Sequence, residues 1–121
     1  MDENIFNRGD VVLVPFPYVT DFAMAKSRPA VVVQNDIANR YSQNLILALI
    51  SSKAPRKVYP FHFHIHRGTE VAIKAGLEKD SIVKTEVIIT IPKSSVMKRI
   101  GFLPVEAMSL VDQCLRISLS L

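Results

Sequence analysis

Arg28-Pro29-Ala30-Val31-Val32-Val33-Gln34-Asn35-Asp36 joins a charged start, a β-branched run and a polar finish. Proline has no N–H to give a ladder and suits the first position of a strand. Ala30 to Val33 therefore reads as a buried strand, and Gln34-Asn35-Asp36 as residues that turn or cap the chain after it. Upstream, Val11 to Val14 follows Gly9-Asp10 and reads as a second strand, ended by Pro15 and Pro17. Between the two, Phe16 to Lys26 has no period and reads as an exposed loop. Downstream, residues 37 to 44 are polar and irregular, whereas Leu45 to Ile50 is a continuous apolar run that predicts a strand buried on both faces.

The rest of the chain extends the pattern. Tyr59 to His66 alternates, with Phe61, Phe63 and Ile65 on one face and His62, His64 and His66 on the other. Asp80 to Val83 and Val87 to Ile91 predict two further strands, the second stopped by Pro92. Pro104 opens the one clear helix, predicted to end near Ile117. Glu106 sits in its first turn, at the positive end of the dipole, and Val105, Ala107, Met108, Val111 and Leu115 form an apolar stripe. Five or more short strands and one late helix predict a mainly β, α+β fold: a small barrel-like sheet with a helix packed on it.

Bulk properties bound the function. A chain of 121 residues, 49% of them hydrophobic, predicts one domain spanning 1–121 with its own core. Cys114 is the only cysteine, which excludes an intramolecular disulfide and a Cys-based zinc site and points to a reducing cytoplasm. Met1 to Asp10 lacks the charged-then-apolar pattern of a signal peptide. The apolar runs fall far short of the roughly 20 residues a membrane helix needs, so no membrane partner is expected. A net charge of +4 favours a polyanionic partner such as nucleic acid, although a mildly basic protein without one fits the same number.

Several pieces, in chain order, resemble the MazF/PemK family. They are Arg8-Gly9-Asp10-Val11-Val12, the Arg28 to Asp36 stretch, Gly76-Leu77-Glu78-Lys79-Asp80-Ser81-Ile82-Val83, Thr90-Ile91-Pro92-Lys93-Ser94 and Lys98-Arg99-Ile100-Gly101. Together they cover nearly the whole chain. The resemblance implies an SH3-like β-barrel with a C-terminal helix, a homodimer, and the toxin half of a type II toxin–antitoxin pair. It also implies an endoribonuclease that needs no metal or other cofactor, cuts single-stranded RNA at short motifs, and is held in check by a cognate antitoxin.

Such cleavage runs through attack of the 2'-hydroxyl on the neighbouring phosphate, which is why the substrate must be RNA. The hydroxyl must lose its proton, the phosphorane charge must be stabilised, and the leaving oxygen must be protonated. Arg28 matches the family's catalytic arginine. Its guanidinium offers a rigid fork of donors to phosphate oxygens and stays charged at any working pH, so charge stabilisation is its natural role. A surface arginine before a strand is the plain structural reading. Ser51 falls where the family carries a catalytic threonine, and its hydroxyl can bond the scissile phosphate; a turn serine at a strand end is the plain alternative. Tyr18, Lys26, Ser52 and Glu86 are candidate RNA contacts. Lys53, Arg56 and Lys57 form a basic cluster that suits RNA or an acidic antitoxin tail, as do Lys93, Lys98 and Arg99; ordinary solubility charge is the bland reading of both. Phe22 and Tyr41 join Tyr18 as possible stacking groups.

Two positions depart from the family pattern. Gln-Ile-Arg often follows the glutamate in relatives, where this chain has Val87, Ile88 and Ile89; some relatives also carry a glutamate near Ala23. Loss of RNA contacts at those positions leaves a plain RNA-binding module as one alternative, and a toxin of the same barrel that binds DNA gyrase as another. Histidines at 62, 64 and 66 have spacing that can bind zinc or nickel, but a solvated polar face is the expected reading, with no metal.

Overall fold

A computed structural model of the chain describes residues 5–16, 26–53 and 57–121. Six antiparallel strands form one curled sheet: β1 (Asp10–Phe16), β2 (Lys26–Val32), β3 (Asn44–Ser51), β4 (His62–Ile65), β5 (Ser81–Pro92) and β6 (Lys98–Phe102), in the order β4-β5-β3-β2-β1-β6. Three α-helices accompany them: α1 (Asp36–Tyr41), α2 (Glu70–Ala75) and α3 (Val105–Leu119). The mainly β architecture with a C-terminal helix is the one the sequence predicts.

The alternation of β3 sorts the core. Ala48 and Ile50 join Val11, Val31 and Val83 beneath α2 and α3, whereas Leu45 and Leu47 join Phe6, Val12, Val14, Ala30, Val32 and Ile91 on the other face. Leu45 to Ile50 is thus buried on both faces, except at the partly exposed Ile46. Each fully buried Leu, Ile or Val contributes roughly 1.5–3 kcal/mol relative to exposure. Directly opposed residues share a face, and the register runs Val12, Ala30, Leu49 across three strands and Val11, Val31, Ala48 across the same three one residue along.

Several elements differ from the sequence prediction. β1 continues through Pro15 to Phe16, because Leu13 directs its carbonyl at Met97 and Pro15, two residues on, points its missing N–H to that same side after the β6 pairing has ended. The two predicted strands at 80–83 and 87–91 are one strand, β5. Its register with β3 jumps from Ile88 opposite Ala48 to Lys84 opposite Leu49, so residues 85–87 bulge. Thr85 lies in this bulge, fully buried; its hydroxyl is within reach of the carbonyls of Phe61 (2.6 Å) and Cys114 (3.2 Å). That threonine ties β5 to α3 and to the chain just before β4.

Residues 36–41 form α1, not irregular chain. Its N-cap is Asn35, whose side chain accepts from the Ala38 amide (2.8 Å), and its buried residue is Asn39, which accepts from the Gln34 side-chain amide and donates to the Gln34 backbone carbonyl. A helix with a polar buried face carries no hydrophobic period. In α2, Thr69 caps the start and Gly76 ends it in the left-handed region at φ 74°. A Cβ on Gly101 would collide with the backbone of Lys74 and Ala75, so α2 lies directly on β6. β4 is shorter than Tyr59–His66, because Tyr59 and Phe61 stack on each other before the ladder begins. α3 runs two residues past Ile117, and Val105 is exposed rather than part of the stripe, which is formed by Ala107, Met108, Val111, Cys114 and Leu115.

Candidate active site

Arg28 pairs with Val14 across β1 and β2, and so shares the face of Val14 and Ala30. Ser51 lies two residues beyond Leu49 on β3 and emerges on the same face, away from α3. The two meet in a cleft of about 190 Å³, lined also by Phe16, Leu49, Ile50 and Lys53. The backbone N–H of Lys53 donates to the Ser51 hydroxyl (3.2 Å), which folds the chain back over the strand end and leaves the hydroxyl proton to point elsewhere. Among the described residues Arg28 makes no ion pair, so its fork of donors is uncommitted there. A charged fork and a hydroxyl donor facing one small cleft form the arrangement a pentavalent phosphate requires.

A second polar pair stands on the same face. His62 lies opposite Lys84, itself opposite Leu49. Its ring is not solvated, as the alternation suggested. The side chain is 3% exposed and packs edge-on against Tyr59 and Phe61. Its Nε2 meets the Glu86 carboxylate at 2.8 and 3.1 Å, and the Glu86 side chain remains 41% exposed. The aromatic residues that cover the ring lie before β4, where the two-residue period says nothing about cover. A carboxylate accepts hydrogen bonds and repels phosphate, so Glu86 suits the amino groups of a base better than the backbone. Among the described residues, no group of three or more His, Cys, Asp or Glu side chains is arranged around a common metal position.

The remaining sequence candidates divide. Tyr18, Phe22, Ala23 and Arg56 lie outside the described residues. Lys26 is exposed opposite Phe16, at the mouth of the Arg28 strand, and Lys57 is exposed. Ser52 lines a neighbouring cleft rather than the one holding Arg28, which favours Ser51 as the family threonine's counterpart. Tyr41 is exposed at the end of α1 and does not line the cleft. In the second basic cluster, Lys93 Nζ donates to the Asn39 carbonyl (2.5 Å), and Arg99 pairs with Asp10 (3.1 Å) and lies over the Phe6 ring. Those two cations serve the fold. Phe16 and Leu49 are cleft residues that no sequence motif marks; only the strand register brings them beside Arg28.

The opposite face carries a groove of about 800 Å³ between α3 and the sheet, lined by Val33, Ile46, Ile88, Leu115, Leu119 and Leu121 among others. Arg8 and Asp112 pair at its edge (2.6 Å), and Arg8 also donates to the Val33 carbonyl. Ile88, which keeps the family residue, lines this groove; of the two departures, Ile89 packs against the core of the other face and Val87 is half-buried in the β5 bulge. Burial pushes the Cys114 thiol above its ordinary range.

A family model described as "PemK-like, MazF-like toxin of type II toxin-antitoxin system" matches residues 7–119. Endoribonuclease EndoA of Bacillus subtilis (strain 168) is 37% identical over 117 residues, covering 97% of both chains. Two solved structures share the fold. An endoribonuclease in complex with its cognate antitoxin from a mycobacterial species superposes with a TM-score of 0.74 at 19% identity, covering 96% of each chain. A MazE–MazF structure from Deinococcus radiodurans superposes with a TM-score of 0.72 at 17% identity, covering 97% of each.

Proposed function

This chain belongs to the PemK-like, MazF-like toxin family of type II toxin–antitoxin systems, and on that premise we propose that it is an endoribonuclease that cuts single-stranded RNA without a metal. The observation that carries the reading is the single cleft shared by Arg28 and Ser51. The 2'-oxygen attacks the adjacent phosphorus, the bond from phosphorus to the 5'-oxygen breaks, and the products end in a 2',3'-cyclic phosphate and a 5'-hydroxyl. Arg28 stabilises the charge on the non-bridging oxygens as the phosphorane forms. Ser51 donates to the same phosphate and fixes it for in-line attack. Lys26, Lys53 and Lys57 supply the electrostatic attraction for the strand.

The test is incubation of the purified protein with a long single-stranded RNA in EDTA, with the new ends mapped. Discrete cuts with 5'-hydroxyl ends are expected, reduced on the order of 10²–10³-fold by Arg28→Ala. A wild type that leaves the RNA as intact as the variant does would overturn the reading.

Two partners follow from the same premise. The cognate antitoxin covers the Arg28 cleft, its acidic groups meeting the lysines there. A second copy of the chain covers the apolar groove beside α3, where exposed Ile46, Leu119 and Leu121 otherwise meet water. A cytoplasmic setting suits a toxin that reaches RNA and carries one buried free thiol. Among the described residues no helix is long and apolar enough to cross a membrane.

A further inference from the structure

A second cleft of about 190 Å³ adjoins the one that holds Arg28 and Ser51, and Lys53 lines both. Its polar lining is Ser52, Lys53, His64, His66, Asp80 and Ser81, of which Asp80 is exposed and Ser81 buried. The register fixes its position. His64 is opposite Ile82 and Ile82 is opposite Ser51, so His64 and Ser51 emerge from one face on the same rung. Two strand spacings separate their backbones by about 10 Å, a distance one nucleotide bridges.

One group in this cleft lacks a partner. His64 Nε2 is shielded from solvent and, among the described residues, has no hydrogen-bond partner. Buried polar atoms in folded proteins are nearly always paired, and an orphan on a residue that lines a cavity marks a place where something else can supply the bond. The neighbours are already committed: Asp80 accepts from the Arg67 amide (2.7 Å), and Ser81 donates to the Lys79 carbonyl (2.8 Å). Those bonds leave His64 Nε2 as the cleft's buried polar side-chain atom without a partner among the described residues.

We propose that this cleft is a nucleotide subsite that receives the base flanking the scissile phosphate, with the His64 imidazole as its hydrogen-bonding partner. The proposal rests on the ribonuclease reading above and extends it. Asp80 distinguishes a base from a phosphate: its carboxylate repels an anion in the cleft but tolerates a base edge bearing amino groups. Lys53, at the rim common to both clefts, is placed for the phosphate that joins the two nucleotides. The volume is below that of drug-sized pockets and fits a single planar ring.

The variants His64→Ala and His64→Gln separate a reading group from a structural one, since glutamine keeps a donor and an acceptor. Cut sites on a long single-stranded RNA are sequenced for the wild type and both variants, after melting curves confirm that the variants fold. The expected result is relaxed preference at one nucleotide position next to the cut in His64→Ala, partly restored in His64→Gln, with all other positions unchanged. Unaltered preference at every position would overturn the proposal. Binding is measured in parallel, by fluorescence anisotropy, on an uncuttable 2'-O-methyl RNA of the best-cut sequence, or of random sequence if nothing is cut. Replacing the flanking base by an abasic site, or each base in turn if nothing is cut, should weaken wild-type binding about five- to tenfold and leave His64→Ala binding unchanged. Equal losses for both proteins would also overturn it. Wild-type protein that fails to cut yet shows the base-dependent binding would sink the ribonuclease reading and leave the subsite standing.

Discussion

Arg28 and Ser51 are short of surroundings that explain them any other way. Arg28 forms no ion pair among the described residues, and Ser51 accepts a bond from Lys53 but has its donor to spare. If Ser51 holds the phosphate as proposed, removing its hydroxyl deletes that bond, whereas adding a methyl does not. Ser51→Ala is therefore expected to lower kcat by roughly 10- to 100-fold with little change in RNA affinity, and Ser51→Thr to keep most of the activity. Single-turnover cleavage and anisotropy read the two quantities separately. Cys114 makes a different prediction. Burial raises its thiol pKa in the fold, so the folded state holds the proton longer than the unfolded chain does. The associated stability is present below the ordinary thiol range, about 8.5, and is lost as pH rises through the raised value. The urea midpoint should fall between pH 7 and pH 10, and fall less in Cys114→Ala, the difference isolating the thiol from other groups that titrate there. At this scale Arg28 was legible only through its match to the family's catalytic arginine; its charge and its place before Pro29 alone read as a surface arginine before a strand. His62 was not: alternation assigns a side chain to a face but cannot say that Tyr59 and Phe61 cover that face.

Strands with apolar runs were readable and short polar helices were not. Val11–Val14, Ala30–Val33 and Leu45–Ile50 lie in the strands β1, β2 and β3, or within a residue of them, because sustained burial leaves a sustained pattern. α1 buries Asn39 against Gln34, and α2 is too short to show a period, so both escape a hydrophobic reading. β5 was read as two strands because Lys84-Thr85-Glu86 looks like a polar break, yet Thr85 is fully buried, its hydroxyl set between the carbonyls of Phe61 and Cys114. The seating of α2 on β6 is the most exacting packing feature among these elements. A methyl on Gly101 has backbone, not a flexible side-chain end, in its way. Gly101→Ala should cost more than about 2 kcal/mol in chemical denaturation, beyond the typical surface change. A midpoint within error of the wild type would show that the two elements separate freely.

For the molecule as a whole, one sheet presents two faces with separate duties: the Arg28 cleft on one, the apolar groove beside α3 on the other. Leu119→Glu places a charge in that groove at a half-exposed position outside the core. Sedimentation at micromolar concentration should then show a monomer, against a dimer for the wild type, with the melting behaviour at low concentration unchanged. A wild type that sediments as a monomer removes the dimer from the proposed function. The sheet order itself was illegible in the sequence, since β3 takes β5 as its neighbour across an intervening strand and helix, and no local pattern records a long-range pairing. The family resemblance supplied what periodicity lacked. The two-residue alternation of β3 has one more consequence, for how such proteins diversify. Leu47, Leu49 and Ser51 belong to one face, and Ala48 and Ile50 to the other. On the proposed function, substitutions at odd-numbered positions retune what is cut, and those at even-numbered positions what is packed or paired, each without disturbing the other. Loss of a single residue would exchange the two sets at once. Descent in this strand should therefore proceed by replacement and almost never by insertion or deletion.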